Sequence, residues 1–285
     1  MVTKAEYEAK WSVSLRSCVS QTAGNLIRTS LLQGFFEQGF EPWTTEGPAS
    51  QLVHLVEKNN SFAALRSRVQ QLGRRLSCCE PGCGQGAATR WLAGQGFESV
   101  GVDLIEGVIA KARMQAQIEA QAEHHTGVLP KPIFVQADVF SLPCGFSYAA
   151  AAAGQAMDEE QRTGDAPGGG PAFDFVFDCQ CFHVLQVHDE AAAVVSVARL
   201  LRPGGLLLCM VGNANEPEVS PAVLSQEELQ AAFVSSSGGL FRMLECREDR
   251  FDPTPAYSLL PLGCPLAWVA LFERTEEAVP PRHGY

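Results

Sequence analysis

Leu76-Ser77-Cys78-Cys79-Glu80-Pro81-Gly82-Cys83-Gly84-Gln85-Gly86 is the stretch that decides the fold of this 285-residue chain. A short β-prone run ends in an acid, meets a Gly-rich turn and opens into Ala87-Ala88-Thr89-Arg90-Trp91-Leu92-Ala93, which reads as a helix. Glycines let a backbone turn sharply and approach a ligand closely. The helix start behind them leaves free N–H groups and a positive dipole end. Such a turn is a seat for a nucleotide-bearing ligand. Glu80 narrows the choice, because it would repel a phosphate and welcome a cation or an amine.

Outward from this turn the chain alternates strand and helix. Ser99 to Asp103 and Ile133 to Asp138 read as strands ending in acids, with a long Ala/Gln/Lys helix from Gly107 to Glu123 between them. Phe173 to Asp178 is a fourth strand, and Asp189 to Leu201 a helix. Arg202-Pro203-Gly204-Gly205 breaks that helix, and Leu206 to Val211 has the continuous apolar character of a strand buried on both faces. Ser225-Gln226-Glu227-Glu228 is a capping box that opens a helix running to Phe233. Phe241 to Cys246 and Ala267 to Phe272, with no long helix between them, are expected to add as an antiparallel pair. Alternation of this kind predicts an α/β fold with a doubly wound, mostly parallel seven-stranded sheet. Glu80, Asp103 and Asp138 then share the carboxyl edge of the sheet, where ligands of open α/β sheets bind.

Before the turn, Tyr7, Trp11, Leu15 and Cys18 suggest an amphipathic helix, and Leu26-Ile27 to Phe35-Phe36 a second. Gly39 to Pro48 is a loop, and Leu52 to Val69 carries apolar residues at helical spacing. The expected organisation is an N-terminal helical and loop cap over 1–73, a ligand-binding domain over 74–274 and a disordered tail over 275–285. A low-complexity insertion over 141–172, with the alanine run Ala149 to Ala153 and the Gly/Pro stretch Gly164 to Pro171, sits between the third and fourth strands. It reads as a tolerated surface expansion.

Composition bounds the function. A net charge of −11 argues against nonspecific nucleic-acid binding, which depends on Lys and Arg. No apolar run reaches the ~18 residues of a membrane span. The early charges Lys4, Glu6, Glu8 and Lys10, without an apolar h-region, predict no secretory signal. Ten cysteines in a chain of this kind are expected to be reduced thiols in the cytoplasm. The turn and its acid ask for a nucleoside ligand with an amino group and no pyrophosphate, a description that S-adenosyl-L-methionine fits. Gly82-x-Gly84-x-x-Ala87 also satisfies the dinucleotide pattern, so an NAD(P)-binding oxidoreductase stays open on the glycines alone.

As an ordered set, the motifs carry a resemblance. Glu80-Pro81-Gly82-Cys83-Gly84-Gln85-Gly86 resembles the first motif of class I S-adenosylmethionine-dependent methyltransferases. Val100-Gly101-Val102-Asp103, Gln136-Ala137-Asp138-Val139, Phe173 to Asp178 and Leu201 to Gly205 are similar to the segments that follow it, across roughly residues 74–212. Pro42-Trp43, Gly47 and Leu52-Val53 resemble, more narrowly, a Trp-bearing loop of the thiopurine and thiol/halide methyltransferase-like group, with Thr44 where an Asp is usual.

The resemblance implies a Rossmann-like fold with an N-terminal helical lid and S-adenosyl-L-methionine as cofactor. It implies that Glu80 meets the methionine amino group, with Gly82 and Gly84 in the turn, and that Asp103, with Leu104 beside it, takes the ribose hydroxyls. Asp138 and Val139 would face the adenine, Asp178 and Cys179 the methionine end, and Trp43 would close over cofactor and acceptor. The implied reaction is methyl transfer to a small-molecule acceptor with a soft nucleophile, a thiol, halide or metalloid. A protein side chain is the other acceptor class considered, and a non-catalytic cofactor-binding protein a third reading. An amine or hydroxyl acceptor would need a base, for which His183 is the candidate; a histidine at a helix start also packs or caps. Cys179 and Cys181 lack a second pair at zinc spacing, and no metal is expected.

Overall fold

The computed structural model describes Gly34, Glu37, Gly39, Glu41 and residues 43–122, 129–143, 145–154, 173–216, 223–257 and 263–280. The helices expected over Tyr7 to Cys18 and from Leu26, along with Pro42, His124-His125, Cys144, Gly164 to Pro171 and residues 281–285, lie outside the described residues. Two helices come first, α1 (Ser50–Lys58) and α2 (Asn60–Gln71). Asn59 caps α2 by accepting the N–H groups of Ser61 and Phe62. Then β1 (Ser77–Pro81), α3 (Ala87–Gly94), β2 (Glu98–Asp103), α4 (Glu106–Ala122) and β3 (Ile133–Gln136) alternate. A short helix, α5 (Tyr148–Ala152), occupies the alanine run of the insertion, capped by Ser147. The chain continues through β4 (Phe173–Cys179), α6 (Phe182–Leu200), β5 (Leu201–Asn213), β6 (Val223–Leu224), α7 (Gln226–Gln230), β7 (Phe241–Arg250) and β8 (Leu266–Arg274).

The sheet runs β3-β2-β1-β4-β5-β8-β7, with the two-residue β6 pairing beside the end of β5. Strands β1 to β5 pair in parallel, and β8 enters antiparallel between β5 and β7. The order of connection reverses at β1, which lies between β2 and β4, so the crevice beyond its carboxyl end is the topological switch point. Successive residues of β5 alternate between two cores. Leu207, Cys209 and Val211 join α6 and Phe233, whereas Leu206, Leu208 and Met210 join α1, α2 and α3. The second cluster includes Leu52, Leu55, Phe62, Leu65 and Val69, so α1 and α2 cover one sheet face. Phe62 meets Phe175 edge-on, with ring centroids 5.1 Å apart.

Several boundaries differ from the sequence reading: β3 stops at Gln136, short of Asp138, β7 runs on to Arg250, and three further differences have a visible cause. Strand β5 begins at Leu201, because Arg202 to Gly205 bulges out while the pairing holds: Phe173 faces Leu201 and Phe175 faces Leu206. Helix α6 begins at Phe182 and kinks at Asp189, whose side chain accepts the Ala192 N–H and so starts the expected helix as a second segment. Residues 275–280, expected in the disordered tail, are held where Arg274 donates to the Glu277 carbonyl and Arg199 to the Pro280 carbonyl. At the opposite edge from the switch point, buried Asp174 accepts from Arg74, Arg202 and Ser77, tying β1, β4 and β5 together.

Candidate functional site

The site begins where β1 ends. Glu80 is buried, and its Oε2 accepts the Thr89 N–H at 2.9 Å and the Thr89 hydroxyl. Burial raises its carboxyl to about 7, against the opposing pull of the Thr89 bonds and the Arg90 charge. Gly82 follows with φ 64° and no room for a side chain, since a Cβ there would sit 2.8 Å from the Cys181 sulfur. Gly84, φ 53°, is the opposite case: a Cβ there meets no atom of the described residues within 4 Å. Among the described residues the turn therefore presents bare backbone to open space, and no side chain caps the α3 N-terminus behind it.

Asp103 fixes this turn. Its Oδ2 accepts the Gly84 N–H and its Oδ1 the Ile105 N–H, both at 3.0 Å. Burial raises its pKa, and those backbone bonds pull the other way. The Cys83 N–H donates to the Val102 carbonyl at 3.0 Å, so the turn is stitched to the end of β2.

A cleft of about 690 Å³, open at its mouth, lies between this turn and the ends of β4 and β5. One wall is Glu80, Gly82, Cys83, Gly84 and Gln85 with the start of α3. The facing wall is Phe177, Cys179, Gln180 and Met210, continued by Phe251, Asp252 and Tyr257 from the β7–β8 connection. Trp43, Thr44, Thr45 and Gly47 form the rim. Just before that rim, Glu41 accepts from Gln85 of the turn at 2.8 Å and from Lys111 of α4 at 2.6 Å. Asp252 accepts the Ser50 N–H at 2.6 Å and the Ser50 hydroxyl at 2.7 Å, fastening the start of α1 to the far wall.

The structure thus brings Trp43, Glu80, Gly82, Gly84 and Cys179 to one cleft. Asp103 supports the turn from behind. Leu104, Asp138 and Val139 lie at the neighbouring strand ends outside the lining, where Asp138 accepts the Phe140 N–H at 3.0 Å and caps a short 3-10 turn. Asp178 lies wholly buried beneath the cleft. Its Oδ1 accepts the Phe182 and Cys181 N–H groups, its Oδ2 has no partner among the described residues, and burial pushes the carboxyl up to about 7. His183 is 1% exposed and does not line the cleft; its Nδ1 accepts the Gly212 N–H at 3.1 Å, and burial pushes it down to about 4. It is a neutral core imidazole.

Gln85, Gln180, Phe251, Asp252 and Tyr257 escaped the sequence reading. One signal for the last three was available: the 251–265 connection is far longer than an antiparallel pair needs. Among the described residues no cluster of His, Cys, Asp and Glu could hold a metal, and no helix is long and apolar enough to cross a membrane.

The residues present fit S-adenosyl-L-methionine. A buried carboxylate faces a cleft whose backbone is bare at Gly84, which suits an amine-bearing nucleoside and disfavours a pyrophosphate. Comparisons agree. A family model described as "Methyltransferase domain" matches residues 50–235. Among solved structures, one described by its work on "conversion of a disulfide bond into a thioacetal group during echinomycin biosynthesis" shares the fold, with a TM-score of 0.58 and 19% identity over 88% of this chain and 93% of the other. The 1,6-didemethyltoxoflavin-N1-methyltransferase of Burkholderia thailandensis gives a TM-score of 0.52 at 17% identity, over 87% of this chain and 88% of that one. An S-adenosylmethionine-dependent methyltransferase of Methanosarcina mazei gives 0.50 at 14%, over 71% and 94%. No curated protein matches in sequence. The Gly-rich turn lies at the switch point of this sheet and inside the matched segment, and the chain belongs to the methyltransferase-domain family as an S-adenosylmethionine-dependent methyltransferase with a class I Rossmann-like fold.

Proposed function

We propose that the cleft holds cofactor and a small methyl acceptor side by side, and that the acceptor attacks through a soft nucleophile such as a thiolate. S-adenosyl-L-methionine, when bound, supplies an electrophilic methyl group on a sulfonium. In this reading Glu80 holds the ammonium end, and the Gly84 turn leaves room for the methionine chain. Asp103 and Leu104 lie toward the ribose, Asp138 and Val139 toward the adenine. Trp43 and its rim, anchored through Glu41, shield the reacting centre from water.

The observation that carries the acceptor class is the chemistry of the facing wall. Phe177, Met210, Phe251 and Tyr257 make it apolar and aromatic, suited to a small ring compound. Among the described residues lining the cleft there is no histidine or lysine. Both Asp252 oxygens serve Ser50, and the Cys179 thiol is pushed up by burial. A wall with so little basic capacity suits a nucleophile that arrives already ionised, for which alignment and exclusion of water are what the protein supplies. Asp178 then positions the start of α6, and His183 packs the core.

The test is label transfer from S-adenosyl-L-methionine to thiophenol, aniline and phenol at equal concentration. Thiophenol is expected to be methylated at least about tenfold faster, since a well-matched base would be needed to bring the others level. Aniline methylated as fast as thiophenol, or label entering protein instead, would overturn the acceptor class.

A further inference from the structure

Gln180 stands out in the facing wall on its backbone alone. Its φ is 67°, and among the described residues it is the one non-glycine with positive φ. A left-handed backbone is unfavourable for a side chain of this kind, and such conformations persist where the surroundings over-determine them, often at ligand sites. Here both flanks are fixed. The Gln180 N–H donates to the Met210 carbonyl at 3.0 Å, and the next N–H, of Cys181, donates to Asp178 at 3.2 Å. The turn re-aims the side chain immediately after β4, into a wall otherwise lined by Phe177, Met210 and Phe251.

The carboxamide is also oriented. Tyr257 is 1% exposed, its N–H held by the Thr254 hydroxyl oxygen at 3.0 Å, and its own hydroxyl donates to Gln180 Oε1 at 2.9 Å. With Oε1 facing the Tyr257 hydroxyl, the nitrogen and its two donors are turned away from Tyr257. A positioned donor in an apolar, aromatic wall is how a pocket discriminates between ligands of similar shape.

We propose that Gln180 is a specificity-determining residue: its side-chain N–H donates to a hydrogen-bond acceptor atom on the molecule that receives the methyl group, and Tyr257 is the positioning residue that holds it. This rests on the reading that the acceptor occupies the β4–β5 half of the cleft. The acceptor molecule is therefore an aromatic or heteroaromatic compound bearing a carbonyl, ring nitrogen or oxyanion near its nucleophile.

The experiment uses the full-length enzyme and three pairs of compounds: thiophenol, aniline and phenol, each carrying at ring position 3 either an acetyl or an ethyl group. Within a pair the shape is nearly constant and only the acceptor oxygen differs. Wild type is expected to favour the acetyl member by about tenfold or more in kcat/KM, in whichever pair reacts. Gln180→Leu is expected to erase that preference, and Tyr257→Phe to reduce it mainly through KM, with S-adenosylhomocysteine affinity within about twofold of wild type in both. Discrimination in the aniline or phenol pair alone would sink the soft-nucleophile reading and leave this one standing. Equal loss on both members of a pair, no preference in wild type, or no reaction with any of the six overturns it. A second measurement needs no acceptor. In a Tyr257→Phe background, where the hydrogen bond is already gone, adding Gln180→Gly should raise Tm by about 2–4 °C by relieving the backbone. No rise, or a fall, would show that no strain is held there and would remove the ground for a retained functional conformation.

Discussion

Glu80→Gln tests the core of the site because it removes a buried charge while keeping its shape. In the folded chain burial holds this carboxyl at about 7, against an ordinary 4.5. The folded state therefore binds the proton more tightly than the unfolded chain. The stability this supplies is present in full below about pH 4.5 and is lost as pH rises through about 7. A separation of that size is worth about 3 kcal/mol. The cofactor-free protein should thus be less stable near pH 8 than near pH 5, and Glu80→Gln should remove about 3 kcal/mol of that fall, raising Tm near pH 8 by several degrees. Asp178, also raised to about 7 by burial, adds a slope of the same sign that the variant leaves in place. In the proposed reading, binding of the amine-bearing ligand runs the other way, since it needs the ionised carboxylate. Between about pH 5 and pH 8 the wild-type affinity for S-adenosylhomocysteine should rise by up to about 100-fold and level off above 7. The variant should be nearly flat over this range and near pH 8 weaker by about tenfold or more, the worth of a hydrogen bond to a charged group. Calorimetric titration across the range, with thermal denaturation of the same samples, reads both curves. A variant whose binding follows the wild-type pH profile in parallel would refute the claim that Glu80 meets the ligand's charge.

Asp103→Ala removes the acceptor for the Gly84 and Ile105 N–H groups as well as the expected ribose contact, so S-adenosylhomocysteine affinity should fall by about tenfold or more in the same titration. Asp174 sits far from the cleft: burial alone would raise its pKa, but the bonds from Arg74 and Ser77 and the Arg202 charge outweigh that and hold it below 3.8. Its stabilisation is present above that pH and lost as pH falls. Asp174→Ala should cost about 2–3 kcal/mol by urea denaturation near neutral pH, discounted because both arginines are about a third exposed, and should leave cofactor affinity unchanged. Glu41→Gln loosens the link from the rim to Gln85 and Lys111, a partly exposed pair, and should speed S-adenosylhomocysteine dissociation by about two- to fivefold in stopped flow with little change in Tm.

Much of the sheet was legible because period and punctuation were unambiguous. The continuous apolar run Leu206 to Val211 and the Phe/Val-rich run Phe173 to Phe177, broken only by Asp174, read as buried strands, and the Glu80 and Asp103 acids mark the ends of β1 and β2. The Arg202 to Gly205 turn misled because proline and glycine end helices and also make bulges; only the pairing of Phe173 with Leu201 shows which occurred. Apolar spacing placed α1 and α2 as helices and could not say that Phe62 would meet Phe175 on the sheet face. The wall facing the Gly-rich turn was the least legible part. Phe251, Asp252 and Tyr257 follow β7 in an irregular connection without a motif, and Tyr257 reaches Gln180 across 77 residues of sequence only through the fold. His183 could be named from its type but not from its setting. A neighbour at Gly212 on β5, 29 residues away, fixes it as a core group.

Gly84 gives the most direct test of where the cofactor sits. A Cβ there meets no atom of the described residues within 4 Å, at φ 53°, so Gly84→Ala places a methyl group in the space assigned to the ligand. Titration of S-adenosylhomocysteine should give one site per chain in wild type and an affinity lowered by about tenfold or more in the variant, with Tm reduced only by the few degrees that a left-handed alanine costs. Equal affinity in the two proteins would contradict the placement of the cofactor in this cleft.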